Sequence, residues 1–147
     1  MERPKKTVYS RKEQGMILAK AREFVLQDLL PDSDINKILI FGSLAKGTFG
    51  EYERSWRHGK FSDIDVLILA DDNFRPPKEW KVWTGHEKFK VYTHGRLDNK
   101  YLIQYMVWKE KQYSDETNKR EVEKWGIPLK KKSINKSILI YEKPDSR

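Results

Sequence analysis

Two stretches decide the fold: Ile40-Phe41-Gly42-Ser43-Leu44-Ala45-Lys46-Gly47, and Ser62-Asp63-Ile64-Asp65-Val66-Leu67-Ile68. The first begins as the end of an apolar, β-branched run from Lys37 to Phe41, the pattern of a strand buried on both faces. It breaks at Gly42, Ser43 stands at a helix start, and Leu44-Ala45-Lys46 reads as the first turn of that helix. The second opens on acids and becomes another buried strand, Ile64 to Ala70, closed by the turn residues Asp71-Asp72-Asn73. Residues i and i+2 of a strand leave the same face about 7 Å apart, so the oxygens of Asp63 and Asp65 are spaced to share hard divalent cations. Two like charges against a core raise each other's pKa, a conflict that a cation relieves. Gly42 permits close approach to a phosphate, Ser43 offers a hydroxyl and an amide, and Lys46 adds a positive charge nearby.

Working outward, residues 1–9 read as a flexible basic lead-in and residues 10–147 as one domain. Ser10-Arg11-Lys12-Glu13 has the spacing of a capping box, and Leu18, Ala21, Val25 and Leu29, flanked by Ile17 and Phe24, give the following helix its apolar face until Pro31. After Pro76-Pro77, residues 80–84 and 89–94, joined through Gly85-His86-Glu87, read as a hairpin or paired edge strands. Asp98 is read as the cap of a second helix carrying Tyr101, Leu102, Tyr105, Met106 and Trp108 inward, with a helical turn near 120–125 and a late strand at 137–141. The expected class is α/β (α+β): a small mixed β-sheet covered by helices.

The chain of 147 residues has no cysteine, which excludes disulfides, thiolate metal sites and cysteine nucleophiles. No apolar run approaches the roughly 20 residues needed to span a bilayer, and Met1 to Lys6 is polar, so a soluble, cytoplasmic protein with no membrane partner is expected. Of the net charge of +8, residues 100–147 carry +5, with Lys130, Lys131, Lys132 and Lys136 forming a basic cluster. That cluster reads as a solvated surface, with RNA as a permitted partner.

An isolated Asp-x-Asp or a lone Gly-Ser more often makes a turn than a site; the ordered combination is specific. It resembles the DNA polymerase beta nucleotidyltransferase superfamily, especially its minimal nucleotidyltransferases, with specificity concentrated in residues 38–69. The resemblance implies a polymerase-beta-like core in which Gly42, Ser43 and Lys46 hold a nucleoside triphosphate and Asp63 and Asp65 hold Mg²⁺ or Mn²⁺. It implies transfer of a nucleoside monophosphate, AMP from ATP being the leading case, to a hydroxyl acceptor, with a protein partner or homo-oligomer as context. Lys46 stands where many members carry arginine. The family's third carboxylate has no counterpart in residues 89–94, where Lys90, Tyr92 and His94 share one face and are the candidates for that position. Glu87 and Asp98 lie outside that strand. Between Ser43 and Asp63 lie 19 residues, longer than is typical of minimal members; this stretch, rich in aromatic and basic residues, is expected to be a lid over the nucleotide or part of an acceptor site. The alternative is a catalytically weak, antitoxin-like nucleotide-binding module paired with a small helical toxin. A basic RNA-binding protein ranks third.

Overall fold

The computed structural model describes residues 2–56, 59–85, 89–109 and 137–144. Arg57, His58, His86, Glu87, the turn read at 120–125 and the lysines at 130–132 and 136 lie outside the described residues.

Helix α1 (Arg11–Leu29) starts where the capping box places it, with Ser10 Oγ accepting from the Glu13 N–H at 3.1 Å. Its buried stripe is Gln14, Ile17, Ala21, Val25 and Leu29, while Leu18 and Phe24 lie half-buried at its margin. Ile17, Ala21, Val25 and Leu29 of that stripe join one apolar cluster with Ile38, Ile40, Ile64, Val66, Ile68, Ile103, Tyr105 and Ile140.

Those sheet residues come from β2 (Ile35–Phe41), β5 (Ile64–Ala70), β8 (Tyr101–Lys109) and β9 (Ile138–Glu142). With β6 (Lys81–Gly85) and β7 (Phe89–Leu97) they form a six-stranded sheet, ordered β6-β7-β8-β5-β2-β9. β5 and β8 run parallel and every other neighbouring pair is antiparallel. Side chains alternate across the pleat, so Phe41, Leu67, Leu69, Val91, Met106 and Trp108 form a second cluster on the opposite face.

The strands expected at 37–41, 64–70 and 137–141 are present, and those expected at 80–84 and 89–94 pair antiparallel. The helix expected after Asp98 is not: Tyr101–Lys109 is a central strand. Ile103, Tyr105 and Val107 alternate with Met106 and Trp108 between the two clusters, and a strand buried on both faces shows no polar side to reveal its period of two. Asp98 and Asn99 both adopt positive φ, 53° and 59°, and the Lys100 N–H donates to the Leu97 carbonyl at 3.0 Å. These two residues therefore turn β7 into β8 instead of capping a helix.

The lead-in is also corrected. Lys6–Val8 forms β1, paired antiparallel with β3 (Gly50–Trp56), which in turn pairs with β4 (Gly59–Phe61) in a separate three-stranded sheet. The pairing depends on Gly50, because a Cβ there would run into the Thr7 carbonyl. Tyr9, Phe49, Phe61 and Tyr101 join this sheet to the larger one through ring contacts of 5.2–6.3 Å between centroids.

Buried Gln14 ties α1 to the segment entering β3. Its Nε2 donates to the Tyr9 carbonyl (2.8 Å) and the Gly47 carbonyl (3.0 Å), and its Oε1 accepts from the Phe49 N–H (3.3 Å). Truncation strands three backbone groups, so Gln14→Ala is expected to cost about 3 kcal/mol, at roughly 1 kcal/mol or more per unsatisfied group. A chemical-denaturation midpoint equal to that of the parent protein would contradict this assignment.

Candidate functional site

Gly42 ends β2 with φ 73° and ψ −150°, and the chain turns directly into α2 (Ser43–Lys46). The Lys46 N–H donates to the Gly42 carbonyl (3.0 Å), Gly47 closes the turn at φ 79°, and the Thr48 N–H returns to the Ser43 carbonyl (3.0 Å). One tight turn thus presents Ser43, Lys46 and Thr48 beside the first residues of β5.

Ser62 fixes the other half. It is buried, its Oγ accepts from the Gly50 N–H (3.1 Å), and its own N–H donates to the Gly50 carbonyl (2.9 Å). Asp63 follows at the mouth of β5, and Asp65 pairs in register with Phe41 on β2 and with Gln104 on β8. The Asp65 carboxylate lies against Gly42 so closely that a Cβ on Gly42 would overlap it. Burial first, and then the charge on Asp63, push the Asp65 carboxyl up from 3.8 to about 7, against the opposing pull of Lys46.

These residues line one cavity of about 560 Å³, within the range of small-molecule sites. Its lining includes Ser43, Lys46, Asp63, Asp65 and Gln104, and the small sheet contributes a wall of Lys6, Tyr52 and Trp56, with Arg3 ahead of it. Arg3 and Lys6 both lie over the Tyr52 ring, 5.9 and 5.6 Å from its centroid, and Arg3 also donates to the Tyr52 hydroxyl at 3.4 Å. The 19-residue connection is accordingly α2 followed by β3 and β4, and it walls the cavity that holds the acid pair.

Of the residues singled out from sequence, Ser43, Lys46, Asp63 and Asp65 come together in this cavity, with Gly42 packed beneath Asp65. Lys90, Tyr92 and His94 do not join them. On β7 it is Val91 that faces the cavity. Tyr92 lies on the α1 face, its ring 5.8 Å from that of Trp80, and burial there raises its phenol above the usual range. Lys90 pairs with Val107, which also belongs to the α1-face cluster. His94 sits with Asp28 of α1 and Glu79, their ligand atoms all within 4.8 Å of one another. Asp28 there accepts from Trp80 Nε1 (3.2 Å) and from the Tyr105 hydroxyl (3.5 Å).

The residue beside Asp65 on the neighbouring strand is Gln104, which a helical reading of β8 concealed. Arg3 and Lys6 were concealed in the same way by reading residues 1–9 as a lead-in. The donors facing the cavity include two carboxylates, the Ser43 and Thr48 hydroxyls and the Gln104 amide. These are hard oxygen donors, matched to Mg²⁺ or Mn²⁺ rather than to thiophilic metals.

No family model matches the chain, and no curated protein shows significant similarity to it.

Proposed function

We propose that this cavity is the nucleotide and cation site of a metal-dependent nucleotidyltransferase, with the polymerase-beta-like core that the sequence resembles. The observation that carries the reading is the convergence of Asp63 and Asp65 with Ser43 and Lys46 around one 560 Å³ cavity, Asp65 being seated against a glycine that leaves it room. Two carboxylates, one of them pushed up to about 7 by burial and by its neighbour, form a site whose charge calls for a cation.

In this reading Ser43 and Lys46 hold the phosphates of a nucleoside triphosphate, ATP being the leading case. Asp63 and Asp65 hold Mg²⁺ or Mn²⁺, which when bound supplies charge stabilisation for the phosphoryl oxygens. An acceptor hydroxyl forms a bond to the α-phosphorus, the bond from that phosphorus to the bridging oxygen breaks, pyrophosphate leaves, and the hydroxyl proton passes to solvent. Arg3, Lys6, Tyr52 and Trp56 supply a cationic, aromatic wall for the base or the acceptor. RNA and a protein partner are both compatible with such a wall.

One observation favours a second reading. The neighbour of Asp65 on β8 is an amide rather than an acid, so no third carboxylate is provided there to accept the acceptor's proton. This supports a catalytically weak, antitoxin-like module that binds nucleotide and regulates a partner.

Incubating the full chain with ATP, Mg²⁺ and candidate acceptors separates the two. Pyrophosphate release with an adenylyl mass increment on an acceptor is the expected result. Tight, Mg²⁺-dependent ATP binding without either product would favour the module, and no ATP binding at all would remove both readings. On the question of a membrane, no helix among the described residues is long and apolar enough to cross one.

A further inference from the structure

Gln104 occupies the point where the acidic side of the cavity ends. β8 runs parallel to β5 with Gln104 opposite Asp65, so the two side chains leave the sheet on the same face, and both line the cavity with Asp63. The distance between neighbouring strands is about 4.8 Å, close enough for an amide oxygen and a carboxylate to share one ion. An acid in that place would add a third negative charge beside Asp63 and Asp65. An amide adds a neutral carbonyl oxygen and an N–H donor instead.

Charge then sets the occupancy. Asp63 and Asp65 together carry −2 when ionised, and Lys46, Arg3 and Lys6, which line the same cavity, more than offset that charge. A dication entering alone therefore meets a cavity lined by more positive than negative side chains. The phosphates of a nucleotide supply the anionic oxygens that the protein lacks. We infer that Gln104 is a ligand and positioning residue that makes this a one-cation site, filled to useful occupancy only when nucleotide phosphates enter with the ion. The inference rests on the acid pair being a cation site.

Mn²⁺ is the probe, titrated into the full chain and followed by the loss of its free electron-spin signal, with thermal unfolding recorded in parallel. The parent protein is expected to bind one ion weakly and to gain little in Tm from Mn²⁺ alone, but to gain clearly when α,β-methylene-ATP is added. Gln104→Glu is expected to raise affinity for Mn²⁺ alone by about tenfold or more, because ligand charge tunes affinity at oxygen sites. Gln104→Leu, of similar size without the amide, is expected to lower it about tenfold or more, the scale seen when a supporting partner of a metal site is lost. The Asp63→Asn/Asp65→Asn double variant should bind no ion.

If both Gln104 variants keep the parent affinity while the double variant loses the ion, Gln104 is not a ligand and this inference falls alone. Mn²⁺ binding by the parent that is as tight without the nucleotide analogue as with it overturns the same inference. If the parent and the double variant bind Mn²⁺ equally, the acid pair is not the site, and the functional reading falls with it.

Discussion

Asp63→Asn/Asp65→Asn is expected to lose Mg²⁺-dependent pyrophosphate release by a factor of about 10³ or more, some 4 kcal/mol of transition-state stabilisation. Loss of activity alone would not distinguish a broken site from a broken fold. The single variant Asp65→Asn makes that distinction, because it should be more stable than the parent at pH 8. Burial and the neighbouring Asp63 raise the Asp65 carboxyl from 3.8 to about 7, so the folded state holds this proton more tightly than the unfolded chain does. The resulting stabilisation is fully present below about pH 4, falls as pH rises, and is gone above about pH 7. Three units at about 1.4 kcal/mol each make the ionised side chain cost roughly 4 kcal/mol in the cation-free protein at pH 8, before any relaxation around it. Asparagine carries no charge at any of these values. Denaturation of both proteins across this range should give curves that meet near pH 4 and diverge toward pH 8, with the parent recovering part of the gap in saturating Mg²⁺. Parallel curves would show that Asp65 is not held against its charge, and an active double variant would remove the assigned site.

The residues at the acid pair were legible in sequence because each obeys a local rule. Gly42 breaks a strand, Ser43 opens a helical turn, and Asp63 and Asp65 bracket the first residue of the next buried run. The residues around them obey no local rule. Gln104 lies on a strand apolar on both faces, and Tyr101, Tyr105 and Trp108 fall at intervals that fit a helix equally well. The decisive clue was the Asp98-Asn99 pair, since both residue types tolerate the left-handed region that a tight hairpin requires. Lys6–Val8 is too short to show a period, and its pairing is dictated from far along the chain, where Gly50 removes the Cβ that would block the Thr7 carbonyl. The third-position candidates failed by a single step of alternation. Val91 faces the cavity, so Lys90 and Tyr92, one residue to either side, face α1.

Gly42 and Gly47 flank the same four-residue helix, both with positive φ, and alanine is expected to affect them very differently. At Gly47, φ 79° and ψ 20° lie in the left-handed helical region, and an added Cβ would meet nothing within 4 Å. Gly47→Ala should cost about 1–2 kcal/mol of backbone strain and leave cation binding unchanged. At Gly42, φ 73° and ψ −150° fall where essentially only glycine is found, and the Cβ would occupy the place of the Asp65 carboxylate. Either the turn or the aspartate must move, and Asp65 is held in register by β2 and β8 on both sides. Gly42→Ala should therefore cost about 3–5 kcal/mol, at the upper end for a point substitution, and should abolish Mn²⁺ binding even where the chain remains folded. Part of that cost belongs to the pair. In an Asp65→Ala background the overlap disappears and only the backbone strain remains, so Gly42→Ala should then cost about 1–3 kcal/mol. A cost undiminished by Asp65→Ala would mean that the glycine serves the turn alone, and that the close fit between the Gly42 turn and the acid strand is not what holds the site together.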